Sequence, residues 1–338
     1  MAHTAFTATE FKDLLSSTSL KVVEEQLVPL LAHVAKTGSP VDLQEVCSRF
    51  AFVISMNATF GLMRLFNIGW ERECTKALKI IEARFYQLIS QKRNDMLRGI
   101  KSFDLLSSHI KAREQISTNI SSLPTKNDDK FLRDTMLSLF AAGNDAVSSG
   151  LIWFFWLVFK TPVVEAKILE ELKLLFPRKR DFDARNLSGL VYLHAAICES
   201  LRLYPPIPLN GKTALKEVVL PDGSLVKQGM QIIISNYSVG RMSWIWGEDC
   251  LEFKPERWID DNGKLIRHGN MSKFVSFNLG PRTCLGKDMA FTQIKAVAAT
   301  VLFNFQVEVL EGQHSSLKPA FTLHMEKGLK VKLQKRVI

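Results

Sequence analysis

The chain has 338 residues, 46% of them hydrophobic and 23% charged, with a net charge of +10. This composition excludes a disordered chain, and the length suffices for one large domain with a sizeable buried core. The basic residues are spread out, with only short clusters such as Arg178-Lys179-Arg180 and no nucleic-acid motif, so the charge reads as solvated surface or as a face for an acidic protein partner.

The start, MAHTAFTATEF, lacks the pattern of a signal peptide. Apolar residues at three- and four-residue steps predict helices over 10–36 and 41–60, separated at Gly38-Ser39-Pro40, and a helical stretch over 70–120. A polar loop is expected from Ser121 to Asp129. A long helix follows from Lys130 to Lys160, interrupted at Gly143-Asn144-Asp145 and ended by Thr161-Pro162. Its stretch Ala146 to Phe159 has 14 uncharged residues. A membrane span needs about 20, so a buried helix is expected. Further helices are read over Val163–Phe176 and 190–203, the latter stopped by Pro205-Pro206.

The pattern then changes. Val218-Val219-Leu220 and Leu225-Val226 flank a Pro221-Asp222-Gly223 turn and predict a hairpin, and Gln231 to Ser235 predicts a short strand. A loop region runs to Gly286, a last long helix covers Lys287 to Asn304, and Leu329 to Leu333 alternates like a strand. No internal repeat is evident. The fold class is mainly α with a small β region, in a single domain over 1–338.

The five cysteines, at 47, 74, 198, 250 and 284, are odd in number, widely spaced and without a CxxC pair. This argues against a disulfide framework and a zinc site, and fits a reducing compartment. One of them stands out, in the run Phe277-Asn278-Leu279-Gly280-Pro281-Arg282-Thr283-Cys284-Leu285-Gly286 that leads into a helix. Free N–H groups at a helix N-terminus favour a thiolate, and Gly280 and Gly286 let the backbone approach something flat and bulky. Arg282 supplies a fixed positive charge for a nearby acid. A structural cysteine beside an incidental arginine is the plain alternative, and core packing explains Phe277 equally well.

This run resembles the haem-binding loop of the cytochrome P450 superfamily. Two further motifs carry the resemblance: Glu199-Ser200-Leu201-Arg202, and Phe253-Lys254-Pro255-Glu256-Arg257-Trp258. The resemblance implies an incomplete cytochrome P450 fold with haem b as cofactor. Cys284 would be the axial metal ligand, Arg282 would neutralise a propionate, and Phe277, Gly280 and Gly286 would complete the haem loop. Glu199, Arg202 and Arg257 would form a buried network; Glu199 and Arg202, three apart on one helix, can pair. Gly143, Asp145 and Ala146 would line the oxygen groove, and Ile207, Pro208, Leu209 and Asn210 would approach substrate, although packing also explains Ile207 and Leu209.

Tyr204-Pro205-Pro206-Ile207-Pro208, Gly240-Arg241-Met242, Trp246 to Phe253 and His324 to Leu329 resemble plant fatty-acid ω-hydroxylases and mid-chain alkane hydroxylases. This branch implies insertion of oxygen from O2 into long-chain aliphatic substrates, as in wax or fatty-acid metabolism. No GxGxxG, P-loop, HExxH or GxSxG is present. Electrons would therefore come from a separate NADPH-cytochrome P450 reductase at the cytosolic face of the endoplasmic reticulum membrane. Arg282, Lys273 and Lys287 are candidates for its docking face, or ordinary surface charge.

The sequence also departs from the family. Ala146 stands where the family has threonine, and neither Ser148 nor Ser149 points where residue 146 does, so leaky turnover is expected. The membrane anchor, the early sheet and a propionate-binding helix are missing from the resemblance, and a deletion is expected near residue 61, within a helical part over 1–129; the haem-binding part is 130–338. Two rival expectations follow: a remnant with little activity, and a haem-thiolate enzyme that rearranges lipid hydroperoxides.

Overall fold

The structure, a computed structural model, describes residues 9–60, 74–118, 126–177, 187, 189–266, 270–318 and 320–336. The first predicted helix is built in three pieces: α1 (Thr9–Val22), one π-helical turn (Val23–Leu27) and α2 (Val28–Thr37). Val28 N–H bonds the carbonyl of Val23, five residues back, immediately before Pro29. A proline ring clashes with the carbonyl four residues earlier, and the widened turn relieves that clash. The second helix starts later than expected, because Val41–Asp42 is a strand (β1) and α3 is Leu43–Phe60.

The 70–120 stretch is two helices, α4 (Cys74–Leu97) and α5 (Leu105–Thr118). Gly99, at φ 77°, ends the first. Asp104 starts the second, its Oδ1 accepting from Ser107 N at 2.8 Å. The expected deletion near residue 61 lies outside the described residues.

The expected interruption at Gly143 is not found. α6 runs unbroken from Lys126 to Lys160, and takes in the last four residues of the expected 121–129 loop. A lone glycine costs a helix about 1 kcal/mol relative to alanine, which the packing on either side outweighs. None of the stretch Ala146 to Phe159 is exposed, and Leu151 to Phe155 are fully buried. No single described helix is long and apolar enough to cross a membrane.

α7 (Pro162–Leu175) and α8 (Val191–Leu203) follow. β2 (Leu209–Thr213) was not foreseen; it pairs antiparallel with β5 (Gln231–Ser235). The expected hairpin is present as β3 (Val218–Val219) and β4 (Leu225–Val226), turning through Gly223 at φ 85°. The expected loop region contains three one-turn helices, α9 (Asn236–Val239), α10 (Ser243–Trp246) and α11 (Asn270–Lys273).

α12 (Lys287–Asn304) is the predicted last helix, followed by β6 (Phe305–Val309), the hairpin β7 (Leu317–Lys318) and β8 (His324–Met325), and β9 (Lys330–Lys335). β9 lies between β1 and β6, all antiparallel. Val331 and Leu333 are buried and Lys330 and Lys332 exposed, as the alternation requires. Three helices meet at the centre, where a Cβ at Gly150 of α6 would press on Ile294 of α12 and Leu201 of α8, each at 3.3 Å. Trp153 stacks on Tyr204 with ring centroids 4.0 Å apart.

Candidate active site

The cysteine loop is pinned by its own backbone. Two 3-10 turns, Val275–Phe277 and Gly280–Arg282, fold it back so that Cys284 N–H donates to the Phe277 carbonyl at 2.7 Å. The reversal needs positive φ at Gly280 (68°) and at Asn278 (φ 59°, ψ 174°), the one non-glycine residue with positive φ among the described residues. Phe277 lies between Phe274 and Phe291, with centroids 6.0 and 5.2 Å away.

A cavity of about 460 Å³ opens above this loop. Cys284 is exposed, whereas Cys47, Cys198 and Cys250 are buried. Burial pushes the Cys198 thiol up to about 12. Partial burial also raises the Cys284 thiol, while the Gly286 N–H and the charge of Lys287 pull it down. The expected donation from the start of α12 is therefore present at Cys284 and opposes its burial.

The opposite wall is a stripe of α6: Leu139, Ala142, Gly143, Ala146 and Val147. This is the three- and four-residue spacing of one helix face. Ile207 and Asn210 close one side, and Asn210 Nδ2 donates to Asn278 Oδ1, tying β2 to the cysteine loop. Met289, Asn236, Ser276 and Phe321 also line the cavity and were missed by sequence reasoning. Ser276, directly before Phe277, and Met289, five residues after Cys284, were within reach of the motif.

Other expected residues stand elsewhere. Asp145 does not line the cavity. Its carboxylate accepts from Thr322 Oγ1 and pairs with His324 Nε2 at 2.9 Å. One helix step turns by about 100°, which carries residue 145 off the face shared by 143 and 146. The His324 hydrogen bond holds the Asp145 carboxyl below its ordinary range, against partial burial. Arg282, Gly280, Pro208 and Leu209 also lie outside the lining; Arg282 is exposed, and Leu209 is 57% exposed. Ser148 and Ser149 are buried; Ser148 pairs with Ser48 at 2.7 Å and Ser149 donates to the Leu323 carbonyl at 2.7 Å.

The three-residue network is assembled as the motifs imply. Glu199 and Arg202 are buried and doubly bonded, Arg202 Nε to Oε2 at 2.8 Å and NH2 to Oε1 at 2.7 Å. Arg257 Nε donates to Glu199 Oε1 at 3.2 Å, and Trp258 Nε1 to Oε2 at 2.9 Å. Arg202 also reaches the carbonyls of Gly240, Cys250 and Glu252. Nearly every polar atom of the pair therefore has a partner, the condition under which a buried ion pair is tolerated.

The arrangement fits haem. A free thiol lines a cavity that α6 lines with apolar residues, Gly143 and Ala146 among them small enough to admit a bulky group, and thiolate is an axial ligand of haem iron.

Comparison with known proteins agrees. The pattern described as cytochrome P450 matches residues 21–333. Alkane hydroxylase MAH1 of Arabidopsis thaliana is 38% identical over 99% of this chain and 74% of its own length. Noroxomaritidine synthase 2 of Narcissus aff. pseudonarcissus MK-2014 is 33% identical over 100% of this chain and 73% of its own, and cytochrome P450 86B1 of A. thaliana is 32% identical over 100% and 68%. The alignment to MAH1 spans 373 positions against a chain of 338 residues, so that relative has residues inside the matched stretch that this chain lacks. The crystal structure of a cytochrome P450, CYP102L1, superposes with a TM-score of 0.81 at 22% identity, over 99% of this chain and 77% of that one. The chain belongs to the cytochrome P450 family, the haem monooxygenases.

Proposed function

We propose that this chain hydroxylates long-chain alkanes or fatty acids. The observation that carries the reading is the cavity lining. Four amide or hydroxyl side chains (Asn210, Asn236, Asn278 and Ser276) stand among apolar neighbours, and no charged residue is among the described residues that line it. An aliphatic chain buried there gains about 0.8 kcal/mol per CH₂, while a carboxylate would find no cation among the described lining residues to pair with. The geometry thus favours an alkane, or the apolar end of a fatty chain. The 38% identity to an enzyme named alkane hydroxylase supports the same class.

Haem b, when bound at Cys284, supplies the activation of O2. The chain's own residues do the rest. Gly143 and Ala146 leave room on the α6 face, Phe277 packs beneath the loop, and Ile207 and Asn210 orient the substrate from the side. Arg282 is assigned to a propionate, and electrons come from NADPH-cytochrome P450 reductase at the cytosolic face of the endoplasmic reticulum.

The first test is a reduced carbon-monoxide difference spectrum of the purified chain, followed by incubation with reductase, NADPH and a series of long-chain alkanes and fatty acids. A thiolate-type Soret band and an O2-dependent alcohol, both lost in Cys284→Ala, support the proposal. A normal band with no aliphatic product overturns the substrate class, and conversion of a fatty-acid hydroperoxide without reductase replaces hydroxylation with rearrangement. A second reading, a chain that retains little haem, is favoured by the residues missing from within the matched stretch; haem stoichiometry well below one decides for it.

A further inference from the structure

α6 presents a second stripe, next to the cavity face, that grips one short segment of the C-terminal hairpin. Asp145, Ser149 and Trp153 follow at four-residue steps. Asp145 takes hydrogen bonds from Thr322 Oγ1 and His324 Nε2. Ser149 Oγ and Trp153 Nε1 both donate to the Leu323 carbonyl, at 2.7 and 2.6 Å. From the other side Leu323 N–H donates to the Pro206 carbonyl at 2.9 Å. Gln44 brackets Met325, donating to its carbonyl at 3.2 Å and accepting from its N–H at 3.1 Å. Residues 322–325 are thus held by three segments: α6, the turn at Pro206 and α3. Phe321, the residue before them, is 81% exposed and lines the cavity.

We propose that Thr322 and His324 are positioning residues that lock onto Asp145 and thereby fix Phe321 as a wall of the substrate cavity, so that this acid governs how a long chain fits. Both carboxylate oxygens of Asp145 are engaged with the hairpin, and the residue is absent from the cavity lining. Thr322 is 5% exposed, so its hydroxyl depends on the Asp145 carboxylate, which itself remains about half exposed. The inference rests on the reading of the cavity as the substrate site.

The test compares the full chain with the double variant Thr322→Val/His324→Leu and the conservative pair Thr322→Ser and His324→Gln. Hydrogen exchange of the Leu323 and Met325 amides, measured without ligand, is expected to accelerate about tenfold or more in the double variant, the size of losing one hydrogen bond to a charged group. It should stay near wild type in the conservative variants. On haem-loaded protein, 1-dodecylimidazole is the probe, because its ring reports on the iron spectrally and its tail lies in the cavity. Its Kd is expected to rise about tenfold in the double variant while that of plain imidazole stays unchanged. Unchanged exchange at 323 and 325 overturns the clamp. Faster exchange with equal loss of both imidazoles, or with no loss of either, overturns its role at the substrate wall. A wild-type chain without a thiolate Soret band defeats the function proposed above, and exchange alone then decides whether the clamp exists.

Discussion

Ser276 of the cysteine loop donates its hydroxyl hydrogen to the backbone carbonyl of Leu201 in α8, at 2.7 Å. In an unbroken helix that carbonyl would accept from residue 205, but residue 205 is proline and has no N–H. The loop that carries Cys284 supplies the donor that the helix end lacks. Arg241 does the same for the carbonyl of Leu203, and Gly240 sits so close to the Arg202 carbonyl oxygen that a Cβ there would overlap it. Helix end and cysteine loop therefore order each other.

Ser276→Ala should destabilise the fold by about 1–3 kcal/mol, the cost of an unsatisfied buried acceptor. Ser276→Thr keeps the hydroxyl and should recover most of the loss. Urea unfolding followed by tryptophan fluorescence measures both. An alanine variant as stable as wild type would mean that the Leu201 carbonyl finds another donor.

Glu199→Ala strands Arg202 in the core without a counter-charge. Breaking one partner of such a pair costs about 3–5 kcal/mol, a large part of the stability of an ordinary domain. The expected outcome is a chain recovered mainly in the insoluble fraction, or one with a much lower urea midpoint. A soluble variant with an unchanged midpoint would show that water reaches Arg202.

Lys295 gives a pH dependence of defined sign. It is nearly fully buried, donates to the carbonyls of Leu187 and Leu190 at 2.9 and 3.3 Å, and burial depresses it from 10.5 to about 8. Between those two values the unfolded chain binds the proton and the folded chain does not. Stability attributable to this group therefore rises with pH across that window. The difference in unfolding free energy between wild type and Lys295→Met, followed from pH 7 to pH 10.5 (about the unfolded lysine value), should move in favour of wild type as pH rises. A flat difference would show that the lysine titrates normally in the fold.

Ala146 lines the cavity and brings no hydroxyl, and the neighbouring acid is engaged with the hairpin. Ala146→Thr should raise the ratio of hydroxylated product to NADPH consumed and lower peroxide release, because the added hydroxyl offers a proton donor on the α6 face. Parallel assays of NADPH, peroxide and product measure it. A wild-type chain already tightly coupled would remove the reason for the prediction.

How much was legible varied with the range of the interaction. α8 and α12 came within a residue or so of their observed ends, because proline stops and helical spacing are local signals. β2 and β6 were missed altogether, because a five-residue strand exists only where a distant partner pairs with it. The uninterrupted α6 was misread at Gly143 because local propensity is weaker than burial on both sides. The run Phe277 to Gly286 pointed to the thiol that faces the cavity, while Phe321, Thr322 and His324 carried no local mark.

By itself the sequence pointed to the cysteine that lines the cavity, the salt-bridge network and the helical class. Each depends on residue types at short spacings or on a motif whose members must meet wherever the chain takes them. Only the tertiary structure decided which face of α6 each residue shows. A rotation of about 100° per residue separates Ala146 in the cavity from Asp145 on the hairpin, and the direction of that face depends on how α6 packs against a segment 177 residues away. No local pattern encodes that docking, because its driving force is apolar burial and hydrogen bonding between parts of the chain that are remote in sequence.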